Sequence, residues 1–458
     1  MKRRNFLINA TATTAGAIMV PSIVPASVFG KSAPSNKINV GQIGCGRIAR
    51  DHDMPGTMQH DVARMIAVCD LDSNRMKDGK KLVEKYYSRK KGKDNYVDVK
   101  MYENFQDMLS NPDIDAVIIS TPDHWHSQPA LEAALAGKHI YLQKPTSLTV
   151  TEGRLLSDVV QRKGVTFQIG TQQRSMPQFR IAAELVRNGR IGKIHTVKVG
   201  LPGDPSGPEA PEMAVPKNLN YEMWLGQAPE VPYTEIGVHP EKGYSRPGWL
   251  RLGQYGAGMI TGWGQHHFDS AAWGMDTEHT GPISVEAVAE FPKSGLWNVH
   301  GDFMVKAEYE NGITMYTTGG YTNGIRYEGT DGWIFVSRGS YVASASDPVA
   351  KERSAKALTA SEPSILSSVI KENEIHLYNS KEQHGNWLEC IESGKETISP
   401  VEIGHRSCSV CLVSHISMKL GRKLEWDPKT EKFKNDSEAN AMLSRPQRKP
   451  YGTSNVKI

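Results

Sequence analysis

Lys37-Ile38-Asn39-Val40-Gly41-Gln42-Ile43-Gly44-Cys45-Gly46-Arg47-Ile48-Ala49 is the run from which the architecture of this chain can be read. Apolar alternation over 37–43 predicts a strand, and the glycines predict a tight turn into a helix over about 47–59. A second strand runs from Ala63 to Cys69 and closes on Asp70. In that context each residue has a physical task. Gly44 permits the turn, and Gly46 lets a pyrophosphate approach the backbone N–H groups of the helix start at Arg47 and Ile48. Ala49 stands where a third glycine is usual and is small enough for helix–strand packing. Asp70 is placed to accept hydrogen bonds from the ribose hydroxyls of a dinucleotide. Its charge repels a 2′-phosphate, which favours NAD over NADP, with Arg75 arguing the other way.

Strand signals recur at 116–120 and 139–142, separated by helical stretches at about 73–89, 103–110 and 127–136, the last ended by Gly137. A helix at 151–163 and a strand at 165–169 complete the alternation. This is an α/β pattern, and it predicts a doubly wound parallel sheet over 31–169. After Gly170 the texture changes. Gly, Pro and Trp are frequent between 200 and 265, and alternating strands such as 304–309, 314–317 and 333–336 follow. Residues 170–426 therefore read as an α+β domain with a large open, mainly antiparallel sheet, for substrate binding and oligomerisation. A helix over 401–422 is expected to bury one face through Val410, Leu412, Ile416 and Leu420. Residues 427–458 read as a tail that wraps a surface or a neighbouring subunit.

The chain has 458 residues, of which 38% are hydrophobic and 23% charged, enough for two domains with sizeable cores. Its formal charge is +4, but Lys2, Arg3 and Arg4 supply three of those charges from the first thirty residues. The near-neutral remainder gives no electrostatic case for nucleic acid. Residues 1–30, with a basic start, a mildly apolar Thr- and Ala-rich middle and Pro21 and Pro25, read as an export signal. The order Arg3-Arg4-x-Phe6-Leu7 is that of a twin-arginine signal. The expectation is export to the periplasm, with no membrane insertion once the signal is removed. Export in the folded state would require a tightly bound cofactor, since no outside pool replaces it. Five scattered cysteines do not make a disulfide framework, and Cys408-x-x-Cys411 reads as a buried thiol pair on a helix.

Three further segments carry a family resemblance. They are Thr121-Pro122-Asp123-His124-Trp125-His126, Gln143-Lys144-Pro145, and Gly258-Met-Ile-Thr-Gly262-Trp263-Gly264-Gln-His266-His267-Phe-Asp269. Together with Gly421-Arg-Lys-Leu-Glu-Trp-Asp427 they resemble the Gfo/Idh/MocA oxidoreductases over the whole chain after the signal. The resemblance implies an N-terminal Rossmann domain, a C-terminal open-sheet domain and nicotinamide-linked chemistry on sugars or polyols. It also implies a homo-oligomer, dimer or tetramer. Lys144 and His266 are the implied catalysts. Thr121, Pro122, His126, Gln143 and Lys144 join Gly44, Gly46, Arg47, Ile48 and Asp70 as cofactor-binding residues. The family usually has Glu where this chain has Gln143, and often Asp where it has Gly262, so the proton path differs in detail.

Oxidising an alcohol requires a base for its proton, and a lysine beside cationic NAD is pushed toward its neutral form. Sugar recognition needs flat apolar faces with directional polar groups. Trp125, Trp249 and Trp263 offer the first; Gln172, Arg174, Tyr244, His267 and Asp269 offer the second. If the 258–269 segment is extended, His267 points away from His266. No metal is expected, because His124 and His126 lack ligand spacing and an acidic cluster. The main expectation is an exported NAD-dependent oxidoreductase acting on a ring hydroxyl, at C3, of a carbohydrate substrate, a glycoside or hexose. Two alternatives stand beside it. A redox-neutral glycoside hydrolase would use Tyr244 or His267 as a further base, and a non-catalytic sugar-binding protein would have lost the chemistry.

Overall fold

The computed structural model describes residues 37–91, 98–339 and 357–458; the expected export signal lies outside the described residues. The first sheet holds β1 (Ile38–Ile43), β2 (Ala63–Cys69), β3 (Lys100–Tyr102), β4 (Ala116–Ile119), β5 (His139–Leu142) and β6 (Phe167–Ile169). Every pair is parallel, in the order β3-β2-β1-β4-β5-β6. The Ala-Val-Ile-Ile run of β4 is buried along its whole length, as a strand covered by helices on both faces must be. Strand order reverses between β1 and β4, where Ser120 N–H donates to Ile43 O (2.8 Å). Their carboxyl ends therefore open a crevice to one side, the place where such sheets bind ligands.

The helix expected over 47–59 is present but not regular. A widened π turn, Ala49–Asp53, passes into a short α-helix, Met54–Met58. Pro55 cannot donate to a preceding carbonyl, and the loosened register follows from that lost bond. β3 has no counterpart in the sequence reading: three residues on a sheet edge are too short a pattern to register.

The second sheet holds β7 (Ile194–Gly200), β8 (Ser284–Ala289), β9 (Phe303–Glu308), β10 (Thr314–Thr318), β11 (Gly324–Gly329), β12 (Gly332–Val336), β13 (Leu358–Ala360), β14 (Leu424–Asp427) and β15 (Lys432–Phe433). Its order is β13-β12-β11-β7-β10-β9-β8-β14-β15, antiparallel except for β7 with β10. Alternate residues such as Val197, Val305, Met315 and Tyr327 enter one core with the helices Pro177–Arg187, Gly264–Met275 and Val401–Leu420. The opposite face leaves Val288 and Met304 exposed.

Two expectations change, and the tail takes the first of its two expected placements. The helix Val401–Leu420 is buried nearly all round, not on one face. Small residues (Gly404, Ser407, Cys408, Cys411, Ser414) let neighbours close on several sides, and Ser409 and Ser414 hydroxyls return to backbone carbonyls four residues earlier. The helix Gln383–Ser393, inside the second region by sequence, packs Trp387 and Leu388 against Met54, Met58 and Tyr141 of the first. The tail covers its own chain: Arg448 pairs with Glu222 (2.7 Å), Gly452 N–H donates to Gln128 (2.7 Å), and Tyr451 meets the edge of Trp125. No helix among the described residues is long and apolar enough to cross a membrane.

Candidate active site

One cleft runs along the carboxyl ends of the parallel strands, from Asp70 past Gly44, Gly46 and Ile48 to Lys144, His266 and Arg338. Its first half fits a dinucleotide. Gly44 has φ +84°, and a Cβ there would lie 2.7 Å from Ser120 O, so only glycine fits the turn. A Cβ on Gly46 would meet nothing within 4 Å, which leaves an open cradle above the helix start. Asp70 accepts from Cys45 N–H (2.6 Å) and Asp72 N–H (2.8 Å), burial pushes its carboxyl up, and the residue lines the cleft. Arg75 is committed to the carbonyls of Pro240 (2.9 Å) and Gly243 (3.3 Å).

Arg47, Thr121, Pro122, Trp125, His126, Gln143, Gln172 and Trp263 line the same cleft, as does Trp249. His126 lies with one ring nitrogen 2.5 Å from Pro145 O and the other 2.9 Å from Thr121 O, and the neutral ring donates to one of the two. Trp125 is anchored by Nε1 donating to Trp224 O (2.9 Å). Gln143 turns its amide to Asp53, donating to Oδ1 at 2.8 Å. His266 is buried, and its Nδ1 makes no hydrogen bond among the described residues. Burial, then the charges of Arg338 and Lys144, push it well below the usual histidine range, so the ring is neutral and its protonated form is disfavoured. The Arg338 guanidinium lies 4.6 Å over the Trp263 ring.

Four residues expected to meet substrate lie elsewhere. Arg174 and Asp269 are spent on each other: Nε to Oδ2 at 2.8 Å and a second nitrogen to Oδ1 at 2.7 Å, with Glu278 at 2.7 Å. Tyr244 sits at the Asp70 end, stacked by Arg50 (4.3 Å) and Arg75 (4.7 Å), its hydroxyl donating to Asp78. The 258–269 segment is helical rather than extended, so His266 and His267 diverge by about 100°. His267 is bonded through Nε2 to Asn323 (2.7 Å), away from the cleft.

The sequence reading missed a buried network behind the cleft. Asp53 accepts from Ser120 (2.6 Å), Gln143 (2.8 Å), His52 (3.2 Å) and His384 (3.3 Å), and His384 also bonds Glu382 (2.9 Å). Burial opposes charge on His384, yet its two carboxylate partners outweigh burial and push it up to about 9. Asp53 is held well below the usual carboxylate range by the same contacts, against burial. His52, Asp53 and His384 place ligand atoms within 4.8 Å of one another, but His384, protonated between Asp53 and Glu382, has no lone pair to give a metal ion. The run Asp51-His52-Asp53 was the available signal; nothing local pointed to His384 or Arg338.

Two family models match. One, described as oxidoreductase family, NAD-binding Rossmann fold, covers residues 38–171; the other, its C-terminal alpha/beta domain, covers 206–361 and 356–453. The chain belongs to the Gfo/Idh/MocA oxidoreductase family. Among curated relatives, this chain is 28% identical over 232 residues to the uncharacterized oxidoreductase YrbE of Bacillus subtilis, covering 50% of this chain and 64% of that one. It is 26% identical over 188 residues to a myo-inositol 2-dehydrogenase of Thermotoga maritima, covering 41% and 52%. The chain thus spans about half the length of the curated relatives it matches. An aldose-aldose oxidoreductase of Caulobacter crescentus shares the fold, with TM-score 0.56, 20% identity, and 85% and 99% of the two chains covered.

Proposed function

We propose that this oxidoreductase is exported to the periplasm and reversibly oxidises a ring hydroxyl, at C3, of a glycoside or hexose, using an NAD that stays bound between turnovers. The observation that carries this reading is the meeting of Lys144 and neutral His266 at one end of a cleft whose other end holds Asp70 and the open Gly46 cradle. NAD, when bound, supplies the hydride acceptor. Asp70 and the N–H groups after Gly44 would hold its ribose and pyrophosphate. Lys144 or His266 takes the hydroxyl proton, and Trp263 offers a flat face to the sugar's C–H groups. Commitment of Arg75 to two backbone carbonyls supports NAD over NADP. Retention of NAD fits a reaction in which a second carbonyl compound takes the hydride back. The exposed face of the second sheet fits a homo-oligomer.

A redox-neutral glycosidase would need a further base beside C2. Tyr244 and His267, the residues expected to serve, lie off the cleft, so the dehydrogenase reading is preferred. The test is to add glucosides and galactosides, each intact or lacking one ring hydroxyl, to the protein as purified and to follow reduced nicotinamide by absorbance. Reduction by the intact sugars and not by those lacking the C3 hydroxyl is expected. Absence of reduction with any carbohydrate overturns the proposal.

A further inference from the structure

Resting on the oxidoreductase reading, we infer that residues 237–247 supply the second wall of the cofactor site, a clasp over the adenosine end of NAD that is latched by Tyr244 and Arg75 and sets the rate at which the nucleotide enters and leaves. His239, Ser245 and Pro247 line the cleft together with Gly46, Asp70 and Arg75. The half of the cleft that fits adenosine and pyrophosphate therefore has the parallel-sheet loops on one side and this segment on the other.

The segment is built to move as a unit. Its ends meet, because a Cβ on Gly248 would collide with Ile236 O, the form of a compact surface loop closed at its base. Glu241, Lys242 and Gly243 are exposed. Among the described residues, no backbone N–H of 239–247 donates to a backbone carbonyl. Side chains hold it instead. Arg75 Nη2 donates to Pro240 O (2.9 Å) and Gly243 O (3.3 Å), and His239 Nε2 lies 3.1 Å from Asp72 Oδ2. Tyr244 places its ring between two guanidiniums, Arg50 at 4.3 Å and Arg75 at 4.7 Å, and its hydroxyl donates to Asp78 (3.1 Å). Arg50 belongs to the π turn that follows the glycines, and Arg75 and Asp78 to the helix Ser73–Lys91 that follows Asp70. The latch thus spans the two elements that frame the pyrophosphate and ribose positions.

A neighbouring crossing is of another kind. Ser73 N–H donates to Asn218 O (2.8 Å) and Asn220 N–H to Leu71 O (2.9 Å), backbone pairing that makes residues 218–220 the fixed side. A segment held by side chains opens more readily than one held by paired backbone. This difference gives the clasp a kinetic signature. A side chain that only touches bound nucleotide slows release alone. A clasp that opens for passage slows entry and release together, so breaking its latch raises both rates and leaves their ratio nearly unchanged.

The test uses the full protein loaded with NAD and freed of excess nucleotide. Isotopically labelled NAD is added in excess, and replacement of the bound nucleotide is timed by mass spectrometry; Kd is measured by equilibrium dialysis against the same labelled NAD. Tyr244→Ala should speed release by about 10–100-fold while Kd changes by less than about threefold. Tyr244→Phe keeps the ring between the guanidiniums and should speed release only about two- to fivefold. Unchanged release in Tyr244→Ala, or a Kd that rises in step with release, overturns the inference. Should Tyr244→Ala not fold, Tyr244→Leu keeps bulk, loses both stacks and carries the same expectation. A wild type that takes up no NAD overturns both this inference and the oxidoreductase reading. Slow exchange that quickens in Tyr244→Ala, in a protein that oxidises no carbohydrate, defeats that reading and supports the clasp.

Discussion

Replacing Arg174 by Met separates a structural from a substrate-binding role for a residue that sequence alone places at the sugar. The guanidinium is 2% exposed and Asp269 is fully buried. Two short hydrogen bonds join them, a third goes to Glu278, and the Trp273 ring lies 4.9 Å away. Met restores most of the volume but leaves the Asp269 carboxylate without its counter-charge. Breaking a buried pair by removing one partner costs about 3–5 kcal/mol. Arg174→Met should therefore shift the urea midpoint by an amount equivalent to that loss, while KM for the sugar stays within about twofold of wild type. Arg174→Met with Asp269→Leu should recover part of the loss, because no unpaired charge remains. A variant as stable as wild type whose KM rises tenfold would refute the assignment and return Arg174 to the substrate.

Three other outcomes follow from the same structure. Lys144→Met should bind NAD but lose about 10²–10⁴-fold in kcat, measured by single-turnover absorbance; unchanged turnover would remove Lys144 from the chemistry. Gly44→Ala should weaken NAD binding more than tenfold and lower the melting temperature. A Cβ would press on Ser120 backbone at 2.7 Å, and φ +84° adds about 1–2 kcal/mol of strain. His384 is raised to about 9 in the folded state, above its unfolded value of about 6.5, so its contribution is fully present below the latter and lost as pH rises through the former. The stability gap between wild type and His384→Gln should accordingly be widest in mild acid and close toward pH 9, read from denaturation midpoints across pH.

What could be read from sequence was local and periodic. Ile38–Ile43 with Gly44, Gly46 and Asp70 announces the crevice because strand period, turn chemistry and an acid coincide within about thirty residues. The Val401–Leu420 helix was placed correctly in the chain, yet its one-face pattern failed because serines and glycines pass as polar or neutral while packing as small core residues. Arg174 and Asp269 lie 95 residues apart and nothing local reports that they meet. The same holds for Asp53 and His384, 331 residues apart. His267 was misplaced by one choice of period: an extended segment sends neighbouring side chains to opposite faces, whereas a helix turns them by about 100°.

The most direct measurement is mass spectrometry of products after the purified protein is incubated with a panel of glucosides and galactosides. The account predicts an intact glycoside lighter by two hydrogens, with the missing pair at C3 and the nicotinamide reduced in matching amount. A cleaved sugar at unchanged oxidation level, or glycosides returned untouched, would contradict it.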